Sequence, residues 1–212
     1  MSSQLKKAAK ESLSGRWGFA VLTVILFSII QGVPGLFGSD IDEPANTMDL
    51  VVSLVSILLI PVGVGWTWIA MSIARGEETK VTDLFEPYGM FFKVIGLAIV
   101  QLFFILLWLL LLVVPGIIKS FSYMLTFYIL RDEPSIGILE AITRSRKMMD
   151  GHKMEAFLLL LSFIGWALLG IVTLGLAFLW ITPYFSVTFA KFYDRVRGEQ
   201  TPEPTSDFVA PY

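Results

Sequence analysis

The ionisable side chains that could do chemistry in this 212-residue chain are few and unevenly placed. Cysteine is absent and His152 is the single histidine, so the sequence offers no thiol nucleophile and no metal site built on two imidazoles. There are 18 Asp and Glu residues, but none lies near the middle of a long apolar run, where a proton relay would need one. The pattern predicts a protein that is not an enzyme and needs no cofactor.

The densest group of bases lies between two apolar runs, at 144–153. At a cytoplasmic surface such a group could hold anionic lipid headgroups or a phosphorylated ligand. The alternative is that these bases only fix the orientation of the chain in a membrane. The lipid-headgroup candidates are Arg144, Arg146, Lys147 and Lys153.

A second candidate set consists of polar residues and prolines inside the apolar runs: Gln101, Lys119, Tyr123, Pro61, Pro183 and Tyr184. Each proline removes a helical hydrogen bond and frees the carbonyl four residues upstream, which could line a polar site within a membrane. A plain helix kink is the alternative. Lys119 is expected to reach the outer headgroups, and Gln101 with the nearby hydroxyl groups is expected to join helices by hydrogen bonds.

Long apolar segments must position these groups. The sequence is 55% hydrophobic and only 16% charged, against about 25% charged residues in a soluble domain. A bilayer core needs about 20 apolar residues per helix, and the runs at 94–130 and 154–190 are long enough to cross it twice. Turn residues at 115–116 (Pro-Gly) and 173–175 (Thr-Leu-Gly) divide these two runs.

The predicted fold is therefore all-α, a polytopic membrane helix bundle with six transmembrane helices arranged as three hairpins. The predicted spans are 17–38, 50–74, 94–114, 117–131, 154–172 and 176–193. The fourth span is unusually short for a bilayer. A single membrane domain covers 1–197, and the proline-containing segment 198–212 is predicted to be a disordered cytoplasmic tail.

Two amphipathic segments are predicted to lie at the membrane surface. In the first, at 1–16, Leu5, Ala9 and Leu13 recur every four residues with lysines between them, which is typical of a helix at the lipid headgroups. The second is predicted at 135–149, on the cytoplasmic side.

The placement of the basic residues predicts the orientation. With six spans and both termini in the cytoplasm, all 16 Lys and Arg residues except Lys119 fall on the cytoplasmic side, where such residues accumulate. The first outer loop, at 39–49, has four acidic residues and no base. We therefore predict a multi-pass protein of the cell (plasma) membrane with N-in, C-in topology. The first span lacks the features of a cleaved secretory signal and is expected to remain as an anchor.

Three related strings follow the helices that are predicted to return to the cytoplasm. Each reads Arg-[Gly/Asp]-Glu-x-[Ser/Thr], beginning at Arg75, Arg131 and Arg197, and a proline precedes each Arg by a similar distance. The pattern suggests three copies of one hairpin in one orientation. Chance recurrence of short charged strings at membrane exits is the alternative.

Several longer strings carry a family resemblance. They are Gly-Arg-Trp-Gly at 15–18, Pro-Gly-Ile-Ile at 115–118, Ser-Arg-x-x-Met-x-Gly-His-Lys at 145–153, Leu-Ser-Phe-Ile-Gly-Trp at 161–166 and Thr-Pro-Tyr at 182–184. Together they resemble domain-of-unknown-function family 975, a family of bacterial integral membrane proteins, over most of the chain. The resemblance implies a multispan protein of a bacterial plasma membrane, and it implies no particular activity or ligand-binding residue.

Two functions remain after these exclusions. The first is a noncatalytic membrane protein that organises or regulates a membrane-protein partner, a second copy of itself or a lipid, with anionic membrane lipids as expected partners and no nucleic acid. The second is a permease or lipid-handling transporter that uses its proline-broken helices. The scarcity of buried carboxylates and the two surface helices favour the first.

Overall fold

A computed structural model describes residues 2–37 and 46–200 of the chain. Over these ranges the protein is all-α, without a β-strand. The α-helices in chain order are α1 (Ser2–Leu13), α2 (Trp17–Gly32), α3 (Thr47–Leu58), α4 (Ile60–Arg75), α5 (Phe91–Leu111), α6 (Val113–Tyr123), α7 (Thr126–Asp132), α8 (Ile138–Met148), α9 (Lys153–Leu161), α10 (Ile164–Val172) and α11 (Phe178–Gln200). Two 3₁₀ segments, Pro34–Leu36 and Val81–Met90, connect them.

Four helical stretches are long and apolar enough to cross a membrane: Thr47–Arg75, Val81–Leu111, Val113–Asp132 and Lys153–Val172. The helices α1 and α2 meet at 95° and would make a fifth span if taken together. The last helix, α11, is not among them, because charged residues begin within its second half at Lys191 and Asp194. The length and composition of the helices suggest a membrane protein.

The turn between α5 and α6 does not lie where the sequence predicted it. It falls at Leu112, whose backbone is extended (φ −159°, ψ 130°), and Pro115 instead lies in the first turn of α6. A missing N–H costs little there, because the first turn has no intrahelical acceptor for it. The following stretch therefore has 20 residues, Val113–Asp132, rather than the short segment 117–131. The predicted turn at 173–175 is confirmed, with positive φ at Leu174 and Gly175.

Helix α4 forms the centre of the buried core. Almost every residue from Pro61 to Ala74 is buried, and α4 packs against α11, α1 and the segment Val81–Met90. Gly65 permits the last of these contacts, since a Cβ atom on it would lie 2.0 Å from the carbonyl oxygen of Leu84.

The opposite ends of the long helices have exposed apolar surfaces. No residue of α3 is buried, and α10 buries only Gly170. Leu110, Val172 and Leu174 are 87%, 80% and 95% exposed. Apolar surfaces of this extent are costly in water and are expected where lipid is the solvent.

Both amphipathic helices contact the bundle with their apolar faces. In α1 the buried residues are Leu5, Ala9 and Leu13, which pack toward α11 and α4. The predicted segment 135–149 becomes α8, which begins at Ile138, later than expected. At the other end, α11 continues through Gln200, beyond the predicted start of the tail at 198. The rest of the predicted tail 198–212, from 201 onward, lies outside the described residues.

Candidate functional site

The ends of α4, α7 and α11 meet in a group of charged side chains. We name this group the helix-end cluster; its members are Arg75, Asp132, Tyr193, Asp194 and Arg197. It brings together one residue from each of the three related strings in the sequence, namely Arg75, Asp132 and Arg197.

Asp132 accepts hydrogen bonds from three side chains of the cluster. Arg75 donates to both of its oxygens, from Nη1 to Oδ1 at 2.7 Å and from Nη2 to Oδ2 at 3.0 Å. The hydroxyl of Tyr193 and Nη1 of Arg197 donate to Oδ2 at 2.8 and 2.7 Å. With its side chain only 9% exposed, this carboxylate depends on these donors for the solvation that water would otherwise supply.

Arg75 links two carboxylates across the three helices. Its Nη2 donates to Oδ1 of Asp194 at 2.6 Å, and its Nε donates to the same oxygen at 3.1 Å. One guanidinium therefore makes a two-bond contact with each of two acidic side chains. Its position at the C-terminus of α4 is also favourable, since a helix end carries partial negative charge on its free carbonyls.

A second layer of contacts surrounds the cluster. Arg131 donates from Nη2 to Glu77 at 3.1 Å and to the hydroxyl of Ser72, and Ser72 donates to Glu77 at 2.8 Å. Arg16, between α1 and α2, donates to the carbonyls of Gly76 and Glu77 at 3.1 and 2.6 Å. These contacts hold the start of α2 against the end of α4.

The basic candidates of the sequence lie on and after α8, where they divide into two groups. Arg144 is paired with Glu133 at 2.5 Å and Lys153 with Asp150 at 3.4 Å. Arg146 and Lys147 are exposed, and in the described part of the chain neither makes an ion pair. The exposed cationic face of α8 therefore reduces to these two residues.

Ser145 holds α8 against the break between α6 and α7. Its hydroxyl accepts a hydrogen bond from the backbone N–H of Leu125 at 3.2 Å and donates to the carbonyl of Ser122 at 2.9 Å. This N–H and this carbonyl lack a partner within a helix, because the helix is interrupted between α6 and α7. The adjacent Arg146 is thereby fixed in its outward orientation.

His152 lies between two carboxylates near the start of α9. Its Nδ1 is 3.6 Å from Glu155 and its Nε2 is 3.4 Å from Glu199 on α11. Arg195 contacts both glutamates. Across residues 2–37 and 46–200, the structure contains no group of three or more His, Asp and Glu side chains that could hold a metal ion.

The polar candidates inside the apolar runs do not form one site. Lys119 lies over the ring of Trp108, with its Nζ 4.7 Å from the centroid. Tyr123 is buried with its ring 6.3 Å from that of Phe104. The side-chain oxygen of Gln101 is buried and lacks a hydrogen-bond partner among the described residues.

The two prolines also lie in different settings. Pro61 is in the first turn of α4, after a break at Leu59, and the nearby carbonyl of Leu58 accepts a hydrogen bond from the hydroxyl of Tyr88 at 2.8 Å. Pro183 is buried inside the continuous helix α11. The adjacent Tyr184 packs against two rings, those of Phe163 and Trp166.

The acidic half of the helix-end cluster was not predicted from the sequence. The acidic residues are absent from the middle of the apolar runs, and Asp132 and Asp194 instead pair with Arg75 near the ends of α7 and α11. The repeated Arg-x-Glu strings were the available signal, since they marked all three returning helices.

Fold and site together define an α-helical protein with helices suited to a membrane, closed at one end by ion pairs between helix termini. Residues 95–200 match the family described as protein of unknown function (DUF975), and the chain belongs to this family. The matched region contains the strings at 145–153 and 161–166 but not the one at 15–18. No curated protein and no solved structure matches the chain.

Proposed function

We propose that the protein is a noncatalytic integral membrane protein that organises or regulates a membrane partner or lipid. In this proposal it lies in the cell membrane with six spans in three hairpins and with both termini in the cytoplasm. The helix-end cluster and α8 then face the cytoplasm.

The path of the chain supports six spans. Arg16 contacts Gly76 and Glu77, so α2 starts beside the end of α4. Helix α8 packs against α7, and α9 follows it closely, so α9 starts on the side where α7 ends. Since Asp194 of α11 returns to Arg75, α11 must run back to that side after α10 has led away from it. Its charged second half would then lie at the membrane surface.

The main support for the proposed function is the cationic face of α8, formed by Arg146 and Lys147. Its apolar side is buried through Ala141, Ile142 and Met148, while Arg146 and Lys147 point away without an ion-pair partner among the described residues. Cations at a cytoplasmic membrane surface attract anionic lipids and acidic partners. A fixed scaffold that presents them is suited to binding rather than to turnover.

The test is lipid retention by the purified full-length protein. Replacing Arg146 and Lys147 together by Gln should weaken the binding of phosphatidylglycerol at α8 about 30-fold, since each base near an anionic surface contributes about 1 kcal/mol. Native mass spectrometry measures the bound lipid. The matched control replaces two other exposed lysines, Lys7 and Lys80, and should change retention little. Equal retention in the two double variants would contradict the proposal.

A second candidate function, a permease or lipid-handling protein, is supported by one observation. Pro183 is buried within α11, and the neighbouring residues Ile181 and Tyr184 line a cavity where α11 meets α1, α2 and α10. A proline within a helix beside a cavity is a feature of membrane proteins that bind solutes or lipids within the bilayer.

A further inference from the structure

A cavity of about 180 Å³ lies where α1, α2, α10 and α11 come together. The residues that line it are Lys10, Trp17, Trp166, Trp180, Ile181 and Tyr184. No residue of α8 lines it, and it draws side chains from four separate helices. The three tryptophans would each fit an aromatic belt at the membrane interface, but a belt does not require them to converge on one cavity.

The surface of this cavity is mostly apolar, and the polar side-chain groups of the residues that line it can all donate hydrogen bonds. They are three indole N–H groups, one phenol O–H group and the ammonium group of Lys10, of which the indoles and the ammonium cannot accept. In residues 2–37 and 46–200, none of these five side chains makes a hydrogen bond or an ion pair. A ligand that pairs with these groups supplies oxygen acceptors and, opposite Lys10, a negative charge.

Lys10 is held at the cavity by the packing of α1. Leu5, Ala9 and Leu13 are buried on one side of this helix. Lys6, one turn before Lys10, donates to the carbonyl of Ser162 at 2.8 Å and lies 4.2 Å from the ring centroid of Phe163. Burial lowers the pKa of Lys6. The two lysines therefore have separate roles, since Lys6 fastens α1 to the break between α9 and α10 and Lys10 remains free of protein partners.

An apolar groove continues from the cavity. It has a volume of about 380 Å³ between α10 and α11 and shares Ile181 with the cavity. Its walls include Ile164, Ala167 and Phe185. Hydrogen-bond donors on the side chains at the cavity, next to an apolar groove, match the two chemistries of an amphiphile, an anionic head and a hydrocarbon chain.

We propose that this cavity binds the headgroup of an anionic phospholipid, with one acyl chain in the groove between α10 and α11. The phosphate and ester oxygens accept hydrogen bonds from the indole, phenol and ammonium groups. The site is independent of the cationic face of α8, and binding there requires no transport.

The experiment uses the full-length protein with Arg146→Gln and Lys147→Gln already introduced, so that lipid at α8 does not contribute. Native mass spectrometry compares retention of phosphatidylglycerol and phosphatidylcholine from equimolar mixtures. We expect phosphatidylglycerol to be preferred, and Lys10→Gln to lower its retention about fivefold, as the loss of one base near an anionic group predicts. Trp166→Phe and Tyr184→Phe, which each remove one donor, should also lower it.

The matched controls are Lys7→Gln on α1 and Trp108→Phe on α5, two residues outside the cavity, and both should retain lipid as before. Equal loss in the controls and the cavity variants, or no loss in any of them, would overturn the proposal. So would displacement of the lipid by an equal concentration of inorganic phosphate, since that would identify a site for a free anion.

A second measurement does not depend on the folding of any variant. Phosphatidylglycerol with a photoactivatable acyl chain should label peptides of α10 and α11 that contain Ala167 or Phe185. Labelling spread evenly over all exposed helices would contradict the assignment of the groove.

Discussion

At the scale of single residues, Asp132 accepts hydrogen bonds from three side chains of the helix-end cluster, which lie on two other helices. It stands at the C-terminus of α7, where the helix dipole disfavours a carboxylate, and donors from α4 and α11 compensate this cost. Removing the carboxylate leaves Arg75 with one acidic partner and removes the hydrogen bond of the Tyr193 hydroxyl. A lost hydrogen bond to a charged group costs about 2 kcal/mol.

Asp132→Ala is therefore expected to lower the thermal midpoint in detergent by about 4–8 °C, the shift that about 2 kcal/mol produces in a chain of this size. The measurement is the change of intrinsic tryptophan fluorescence on heating. The control is Asp150→Ala, because Asp150 is 84% exposed and 3.4 Å from Lys153, and surface pairs contribute little. Equal midpoints for the two variants would show that the cluster does not stabilise the fold.

The partners within the cluster could not be predicted from the sequence, although its basic members could. The repeated strings marked Arg75, Arg131 and Arg197 as helix-end residues. They did not show that Arg75 meets Asp132 and Asp194, which are 57 and 119 residues away. A periodic pattern locates the end of a helix, but the packing of distant helices decides which ends meet. Asp194 lies before its string, so no repeat identified it.

At the scale of elements, the long apolar helices and the turn at 173–175 followed directly from the sequence. The turn between α5 and α6 did not, because proline fits both a turn and the first turn of a helix. The close contact of α5 with α6 decides between them, since a Cβ on Gly116 would lie 2.5 Å from Leu109. The sequence of neither helix, taken alone, predicts such a contact.

The contact between α4 and the segment Val81–Met90 depends on a single glycine. Gly65→Ala should destabilise the protein by about 1–3 kcal/mol through overpacking, because its Cβ would meet the backbone of Leu84. Gly63→Ala, on the same helix, is the matched control. Its Cβ would lie 3.5 Å from Gln31, and replacing a helical glycine by alanine can stabilise by up to about 1 kcal/mol.

Thermal unfolding in detergent separates the two glycine variants. The midpoint should fall for Gly65→Ala and should stay or rise for Gly63→Ala. A rise in both would mean that the segment Val81–Met90 can move away from α4 without cost.

The role of Pro183 in α11 distinguishes the two candidate functions. If it is structural, Pro183→Ala should preserve or raise the thermal midpoint, since a helix-interior proline costs about 3 kcal/mol in water and less where neighbours compensate. Pro61→Ala is the control and should have a small effect, because Pro61 lies in the first turn of α4. A stable Pro183→Ala protein that fails to restore the phenotype of a deletion strain would favour the transport function.

At the scale of the whole molecule, the orientations of the helices in the membrane depend on one another. The ends of α4, α7 and α11 are joined by ion pairs, and Arg16 holds the start of α2 against them. If one of these ends is cytoplasmic, the others are too. The prediction is therefore N-in, C-in, with α8 on the same side.

Because the chain has no cysteine, single cysteines can report this orientation without background. We expect Asp42→Cys to react with an impermeant thiol reagent in intact cells, and Lys147→Cys to react only after the cells are permeabilised. Position 147 is the informative one, since its side chain is exposed on α8 and α8 packs against α7, so its side of the membrane is also that of the helix-end cluster. Labelling of Lys147→Cys in intact cells, with none of Asp42→Cys, would reverse the orientation of every span at once. The cationic face of α8 would then meet the outer leaflet, and its proposed attraction to anionic lipids of the cytoplasmic leaflet would have no basis.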